Sequence, residues 1–172
     1  MKLNFKYHLG GRAYKTALAV FLTEIISLLL HRQSAFYGSI AAVICLMKNR
    51  EETQKKGIER MIGTIVGGLI GWLFLEVVVR IPNYRDFVYA FIAPFGVLGV
   101  IYVMNVLGRK TSVMIACVVF LSITVSFNRT LDQIPWYVFD RVLDTGIGVM
   151  VATFVTALPL WNDQNGNNTA KP

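Results

Sequence analysis

Apolar residues run along the chain in six segments, separated by short stretches that carry most of the charged and polar residues. A membrane-spanning helix needs about 20 mainly apolar residues, with a range of about 17–25. Five of the six segments reach that length, and the second is shorter, so the distribution of charge has to decide its assignment. The segments are 13–30, 34–47, 61–79, 87–107, 111–127 and 135–160.

The positions of lysine and arginine indicate that all six segments cross the membrane. With a cytoplasmic N-terminus and six crossings, basic residues concentrate on the cytoplasmic side, notably in the loop 48–60, which is interpreted as a short helix at the headgroups. We therefore predict an all-α integral membrane protein, a six-transmembrane-helix bundle over residues 1–161, with its N- and C-termini cytoplasmic. The polar tail 162–172 is predicted to be disordered.

The composition agrees with a membrane protein. Hydrophobic residues make up 55% of the chain and charged residues 16%, whereas a soluble domain carries about 25% charged residues. The net charge of +7 is attributed to loops that face an anionic leaflet, so no nucleic-acid partner is expected. Cys45 and Cys117 lie in apolar segments, and neither they nor the two histidines have metal-ligand spacing. We expect no metal, no cofactor and no enzymatic activity.

A short motif, Arg-x-x-(Gly/Asp)-Thr-x-x-Gly, occurs at Arg60 and again at Arg141. Each copy belongs to the third of three predicted crossings, and an odd number of crossings inverts the second half. We predict a 3+3 inverted repeat, which in secondary transporters places the substrate site where the halves meet. The motif forms one stripe on each helix at helical spacing. The stripes are Arg60, Gly63, Thr64, Gly67 and Gly71, and Arg141, Asp144, Thr145, Gly148 and Ala152.

The small residues of these stripes form a helix-packing seam, composed of Gly63, Gly67, Gly71 and Gly148. Small residues let membrane helices approach closely, because lipid provides no hydrophobic force for their association. One interpretation is tight packing inside a single bundle or across a dimer. The other, compatible with it, is that the polar members of the stripes line a pore or a binding site for small anions.

Glu24 lies about 11 residues into the first segment, roughly 16 Å along a helix and near the bilayer midplane. A carboxylate at that depth is costly unless it is protonated, paired or facing water. Its partner is expected on another helix, with Arg141 as the candidate. Two interpretations stay open, a proton-coupling carboxylate and a static ion pair. Arg12 and Lys15, at the inner end of the same segment, either anchor the helix or form a positive entrance for anions.

Four blocks, at residues 10–20, 36–44, 56–71 and 140–148, resemble the membrane domain of the bacterial aromatic acid exporter family. That family is related to the fusaric acid resistance proteins and more distantly to plant aluminium-activated malate channels. The chain departs from it in two places. The family's segment after the second helix usually contains Gln-Pro, whereas this chain has Met47-Lys48-Asn49. Only a short tail follows the sixth segment, where a cytosolic domain is usual, so a short form is expected.

The resemblance implies a dimeric six-helix domain in the bacterial cytoplasmic membrane that exports aromatic or other organic anions. It also implies that recurring polar positions of the family fall on Arg12, Lys15, Arg60, Thr64, Arg141 and Asp144. Two alternative functions stay open. A channel-like uniporter would need no titrating carboxylate, and a membrane scaffold or accessory subunit would use the glycine seam for oligomer contacts alone.

Overall fold

The computed structural model of the protein describes residues 11–32, 35–78, 80, 86–125 and 133–158. These residues form six α-helices and one 3₁₀-helix, and no strand occurs among them, so the predicted all-α class is confirmed. The 3₁₀-helix is Lys110–Ser112. The α-helices are α1 (Gly11–Leu29), α2 (Phe36–Cys45), α3 (Arg50–Val78), α4 (Asp86–Val106), α5 (Val113–Val125) and α6 (Ile134–Ala157). The predicted tail 162–172 lies outside the described residues.

Helix α3 begins at Arg50 instead of 61, so the charged stretch 50–60 forms its first turns and not a separate helix. The buried Thr53 hydroxyl supports this start. It accepts a hydrogen bond from the Met47 N–H at 3.0 Å and donates to the Asn49 carbonyl oxygen at 3.0 Å. It also lies 3.3 Å from the Thr156 hydroxyl of α6. One side chain therefore joins the connection between α2 and α3 to α6.

We expect Thr53→Val to destabilise the protein by about 1–3 kcal/mol, because valine leaves the Met47 N–H without its acceptor. Thermal unfolding of the purified protein in detergent measures the change. Thr111→Val is the matched control, since Thr111 is exposed on the 3₁₀-helix. Equal unfolding temperatures for Thr53→Val and wild type would contradict the structural role of this hydroxyl.

The chain divides into two compact units, the first up to Gln54 and from Ile147 onwards, and the second from Lys55 to Gly146. In the first unit, α1 and α2 pack as a hairpin through small side chains. Ala19, Thr23 and Ser27 are buried at intervals of four residues along α1. On α2, the buried residues are Gly38, Ala41, Ala42 and Cys45. The end of α6 completes this core with Val151, Ala152 and Val155.

The second unit has its core between α3, α4 and α5. Ile62, Val66, Ile70 and Phe74 recur at intervals of four on α3 and pack against α4 and α5. Phe120 of α5 is fully buried there and meets Phe74 edge-on, with ring centroids 5.1 Å apart. At the far end of α3, Leu75 packs with Val119 and Ile123 of α5 and Ile134 of α6. The aliphatic faces of these helices thus bury one another.

By length and composition, α3 is the helix among those described that could cross a membrane. Helices α1 and α6 are long, but each carries three charged residues. The shorter apolar stretches are α2, residues Phe91–Val106 of α4, and the run Lys110–Thr124 that joins the 3₁₀-helix to α5. The helical class is thus established, whereas the six-span bundle and the inverted repeat stay predictions.

Candidate functional site

The glycine seam of α3 packs against α5. Gly63, Gly67 and Gly71 are all buried. A Cβ added to Gly67 would fall on the Ala116 carbonyl oxygen, and one added to Gly63 would lie 2.9 Å from the Ser112 carbonyl oxygen. The fit at Gly71 is looser, since a Cβ there would lie 3.4 Å from the Ile123 side chain. Close approach of the two backbones therefore requires glycine at the first two positions.

The seam of α6 makes an equivalent contact inside the first unit. A Cβ added to Gly148 would fall on the Gly38 carbonyl oxygen of α2 and lie 2.8 Å from the Ala41 Cβ. Gly67 and Gly148 occupy the same position of the repeated motif. Each lies against a backbone carbonyl of a neighbouring helix, that of Ala116 in α5 for Gly67 and that of Gly38 in α2 for Gly148. Helices of the same chain therefore lie against these seam glycines.

Four polar members of the stripes are buried. Thr64 and Thr145 are 2% exposed, and Arg141 and Asp144 are 6% exposed. These residues belong to the second unit, where α3 and α6 run antiparallel. Contacts at two places set their register, since Gly146 lies beside the Met61 side chain and Gly68 lies beside Val138. Thr64 lies between these contact points on α3, and Arg141, Asp144 and Thr145 lie between them on α6.

Arg141 is the buried cation of this group. Its Nη1 donates a hydrogen bond of 3.2 Å to the Tyr137 hydroxyl, one turn earlier on α6. Asp144 follows three residues later, on the same stripe and near the middle of α6. A guanidinium presents several N–H donors in a planar fork that matches a carboxylate. The group therefore combines a buried guanidinium and a buried carboxylate with the two buried hydroxyls of Thr64 and Thr145.

Arg60, the counterpart of Arg141 in the first copy, is half-buried. Glu59 precedes it, 9% exposed and paired with Lys56 at 3.2 Å. Asp140 precedes Arg141 in the same way, so an acidic residue extends the repeated motif by one position. This extension was not predicted from the sequence, and neither were the contacts of Tyr137 and Ser39. The acidic residue was detectable from the spacing, whereas the contacts of Tyr137 and Ser39 were not.

Glu24 is exposed on α1, and its Oε1 accepts a hydrogen bond of 2.6 Å from the Ser39 hydroxyl of α2. The expected partner on another helix is thus found, but it is a hydroxyl in the same hairpin. The pairing of Glu24 with Arg141 joins residues of different units and stays a prediction.

Arg12 and Lys15 lie on the first turns of α1. The Arg12 Nη2 donates a hydrogen bond of 3.4 Å to the Leu46 carbonyl oxygen, just beyond the last turn of α2. A cation in that position is favoured by the negative end of the helix dipole. Lys15 is half-buried one turn later. The contact of Arg12 fits an anchoring role, and it leaves the positive entrance as a prediction.

The chain is similar to known proteins over most of its length. A family model described as fusaric acid resistance protein-like matches residues 18–155. A UPF0421 protein of Staphylococcus saprophyticus is 25% identical over 164 residues, which is 93% of this chain and 46% of the relative. A UPF0421 protein of Staphylococcus haemolyticus is 26% identical over 91% of this chain and 44% of its own length. The chain thus spans a little under half of these relatives, and no solved structure matches it.

Within the described part of the chain, no group of three or more histidine, cysteine, aspartate or glutamate side chains is placed to hold a metal ion.

Proposed function

The chain belongs to the fusaric acid resistance protein-like family, and on that premise we propose that it exports aromatic or other organic anions across a membrane. Family membership and the length of α3 support a role in membrane transport. The direction of transport and the anionic substrate are the proposal. So are a location in the bacterial cytoplasmic membrane as a multi-pass protein and assembly as a homodimer.

The single observation that carries this proposal is the burial of Arg141 and Asp144 near the middle of α6. Ionisable side chains are costly within a membrane and commonly mark substrate or ion pathways there. A guanidinium favours anions, and the buried hydroxyls of Thr64 and Thr145 offer further hydrogen bonds. The chemistry therefore fits a carboxylate better than a cation or a neutral solute.

The six-span architecture and the 3+3 inverted repeat belong to the same proposal. The equivalent contacts of Gly67 and Gly148 support them, since Gly67 meets α5 and Gly148 meets α2, the second helix of each hairpin. The hairpins α1–α2 and α4–α5 hold matching places in the two predicted halves and each pack as a pair. In such repeats the substrate site lies near the bilayer midplane, which suits buried polar groups at the middle of α6.

A channel-like uniporter is the second candidate, favoured by the hydrogen bond between Ser39 and Glu24. A carboxylate that holds a hairpin together is not required to titrate. A pure scaffold loses support, because the seam glycines contact helices of the same chain.

Flux from proteoliposomes tests the proposed function. Vesicles are loaded with a panel of aromatic and aliphatic carboxylates, and efflux is followed with and without a pH gradient. We expect efflux of at least one aromatic carboxylate, well above that of protein-free vesicles. No flux for any compound of the panel would refute the proposal and favour an accessory subunit.

Glu24→Gln is expected to retain flux and its response to a pH gradient within about twofold. The glutamine amide oxygen can accept the same hydrogen bond from Ser39, so the hairpin contact survives. Glu76→Gln is the matched control, since Glu76 is paired with Arg80 at the end of α3. Loss of gradient-driven flux in Glu24→Gln alone would make Glu24 the proton site.

A further inference from the structure

The turn between α4 and α5 holds two basic side chains, Arg109 and Lys110, and both are exposed. Its backbone is fixed by the hydrogen bonds that close a helix at a glycine in the left-handed region. Gly108 has φ +68°, and its N–H donates to the Asn105 carbonyl oxygen at 3.0 Å. The Arg109 N–H donates to the Met104 carbonyl oxygen, also at 3.0 Å. Neither basic side chain is paired with a carboxylate of the described part of the chain.

The contacts between the glycine seam of α3 and α5 set the height of this turn, because the two helices run parallel. Gly63 lies beside the Ser112 carbonyl oxygen. Lys110 precedes Ser112 by two residues, about 4 Å along a 3₁₀-helix, which equals about three residues of α3. The turn is therefore level with Arg60, where the charged first turns of α3 give way to apolar residues.

Exposed aliphatic side chains on one side of α3 show where this level lies relative to a bilayer. They extend from Ile58 to Val77, a rise of about 28 Å along the helix, and the hydrocarbon core of a bilayer is about 30 Å thick. With this stretch in the hydrocarbon, Arg109 and Lys110 lie at its edge, where long basic side chains reach the headgroups. The stretch consists of Ile58, Ile65, Leu69, Leu73 and Val77.

The connections of the second unit differ in charge. Residues 76–86 and 126–133, which end α3 and follow α5, each contain as many acidic as basic residues. Residues 55–60, at the start of α3, contain three basic residues and one acidic residue, Glu59, which is paired with Lys56. The turn 108–111 contains two basic residues and no acidic residue. The excess of positive charge therefore lies at the end where α3 begins, and it is complementary to an anionic leaflet.

Apolar side chains lie next to the basic ones in the turn. Val106 is 69% exposed and Leu107 is 53% exposed just before it, and Met114 is 77% exposed just after it. A free anion would use the two cations alone, whereas a phospholipid brings a phosphate and acyl chains together. The combination of exposed cations and exposed aliphatic side chains thus favours a lipid over a small soluble anion.

We propose that Arg109 and Lys110 bind the headgroup phosphate of an anionic phospholipid, whose acyl chains lie against Val106, Leu107 and Met114. A guanidinium and an ammonium donate charge-assisted hydrogen bonds to phosphate oxygens. The inference rests on the membrane location proposed above and is independent of the transported solute. It adds a second ligand class, held at the rim of the second unit and not among its buried polar residues.

Photocrosslinking at Leu107 tests the proposal, because it reports on the lipid beside this turn alone. The photoreactive amino acid p-benzoylphenylalanine replaces Leu107, and the protein is reconstituted into vesicles of equal parts dioleoylphosphatidylglycerol and dioleoylphosphatidylcholine. Mass spectrometry then gives the ratio of the two crosslinked lipids. We expect phosphatidylglycerol to exceed phosphatidylcholine by about 25-fold, since each basic side chain near an anionic lipid contributes about fivefold.

Arg109→Gln combined with Lys110→Gln is expected to bring this ratio close to one. Arg80→Gln, which removes an exposed arginine at the other end of α3, is the matched control and should leave the ratio unchanged. A preference that persists in the double variant, or equal crosslinking of both lipids in wild type, would overturn the inference. So would loss of the preference on adding inorganic phosphate at constant ionic strength, which would indicate a site for free anions.

A measurement on the protein without the double substitution keeps the inference testable if that variant does not fold. Raising the salt concentration is expected to lower the ratio, because salt screens exposed charges. A ratio that does not respond to salt would exclude the two cations as its cause. None of these outcomes bears on the efflux of carboxylates, which the flux experiment measures separately. Absence of crosslinks to either lipid would overturn the inference, and absence of flux as well would refute the proposed function too.

Discussion

Arg141→Gln is expected to weaken anion binding by about two orders of magnitude and to reduce flux in the same proportion. Removing one partner of a buried, hydrogen-bonded charge interaction costs about 2–5 kcal/mol, and each 1.4 kcal/mol is a factor of ten. Arg141 is 6% exposed, so water does not screen its charge. Benzoate titration and proteoliposome flux on the same preparation measure both effects.

Arg80→Gln is the control for loss of one arginine. Arg80 is exposed and pairs with Glu76 at 2.7 Å, and exposed pairs of this kind contribute about 0–1 kcal/mol. Arg141→Lys separates charge from shape, because lysine keeps the charge and loses the planar fork. We expect it to bind the anion more tightly than Arg141→Gln and less tightly than wild type. Unchanged binding in a folded Arg141→Gln protein would remove Arg141 from the anion site.

Gly67→Ala and Gly148→Ala are each expected to lower the free energy of unfolding by about 1–3 kcal/mol. The added methyl group would fall on a backbone carbonyl in both cases, that of Ala116 for Gly67 and that of Gly38 for Gly148. A backbone cannot turn aside as a side chain can, so the helices must separate. Thermal unfolding in detergent and the yield of monodisperse protein measure the loss.

Gly99→Ala is the matched control on α4, because nothing lies within 4 Å of a Cβ added there. It is expected to be neutral or to stabilise the helix by up to about 1 kcal/mol, as alanine has the higher helix propensity. A similar loss of stability in all three variants would mean that the seam contacts are not specific. Similar losses at Gly67 and Gly148, with none at Gly99, would match the equivalent places of these glycines in the repeated motif.

The start of α3 is a feature that the hydropathy pattern does not predict. Hydropathy separates 50–60 from the apolar segment after it, because charged residues interrupt the apolar pattern. In the folded chain, Thr53 satisfies the Met47 N–H and meets Thr156, and the helix begins at Arg50. Met47 is close to Thr53 in sequence, but Thr156 is 103 residues away, so no local pattern records that contact.

Glu24 gives a second example. Its place in the first apolar segment predicts a partner on another helix, and the Glu24 carboxylate accepts a hydrogen bond from Ser39 of α2. Serine is small and common in membrane segments, so nothing distinguishes Ser39 from other candidates until α1 and α2 are paired. Charge alone favours a long-range pairing with Arg141, since charge is visible in a sequence and proximity is not, and that pairing stays a prediction.

The sequence by itself determined the helical class and the six apolar segments. It also determined the stripes that bring small and polar residues to one side of α3 and α6. These features are visible in the sequence because helical periodicity and side-chain hydrophobicity are local properties. Only the tertiary structure decided that Gly67 faces α5 and Gly148 faces α2, and that Arg141 and Asp144 are buried while Asp140 is exposed. The physical reason is that burial and close approach depend on which helices become neighbours. That choice rests on the shape fit of whole helix faces, which no single segment contains.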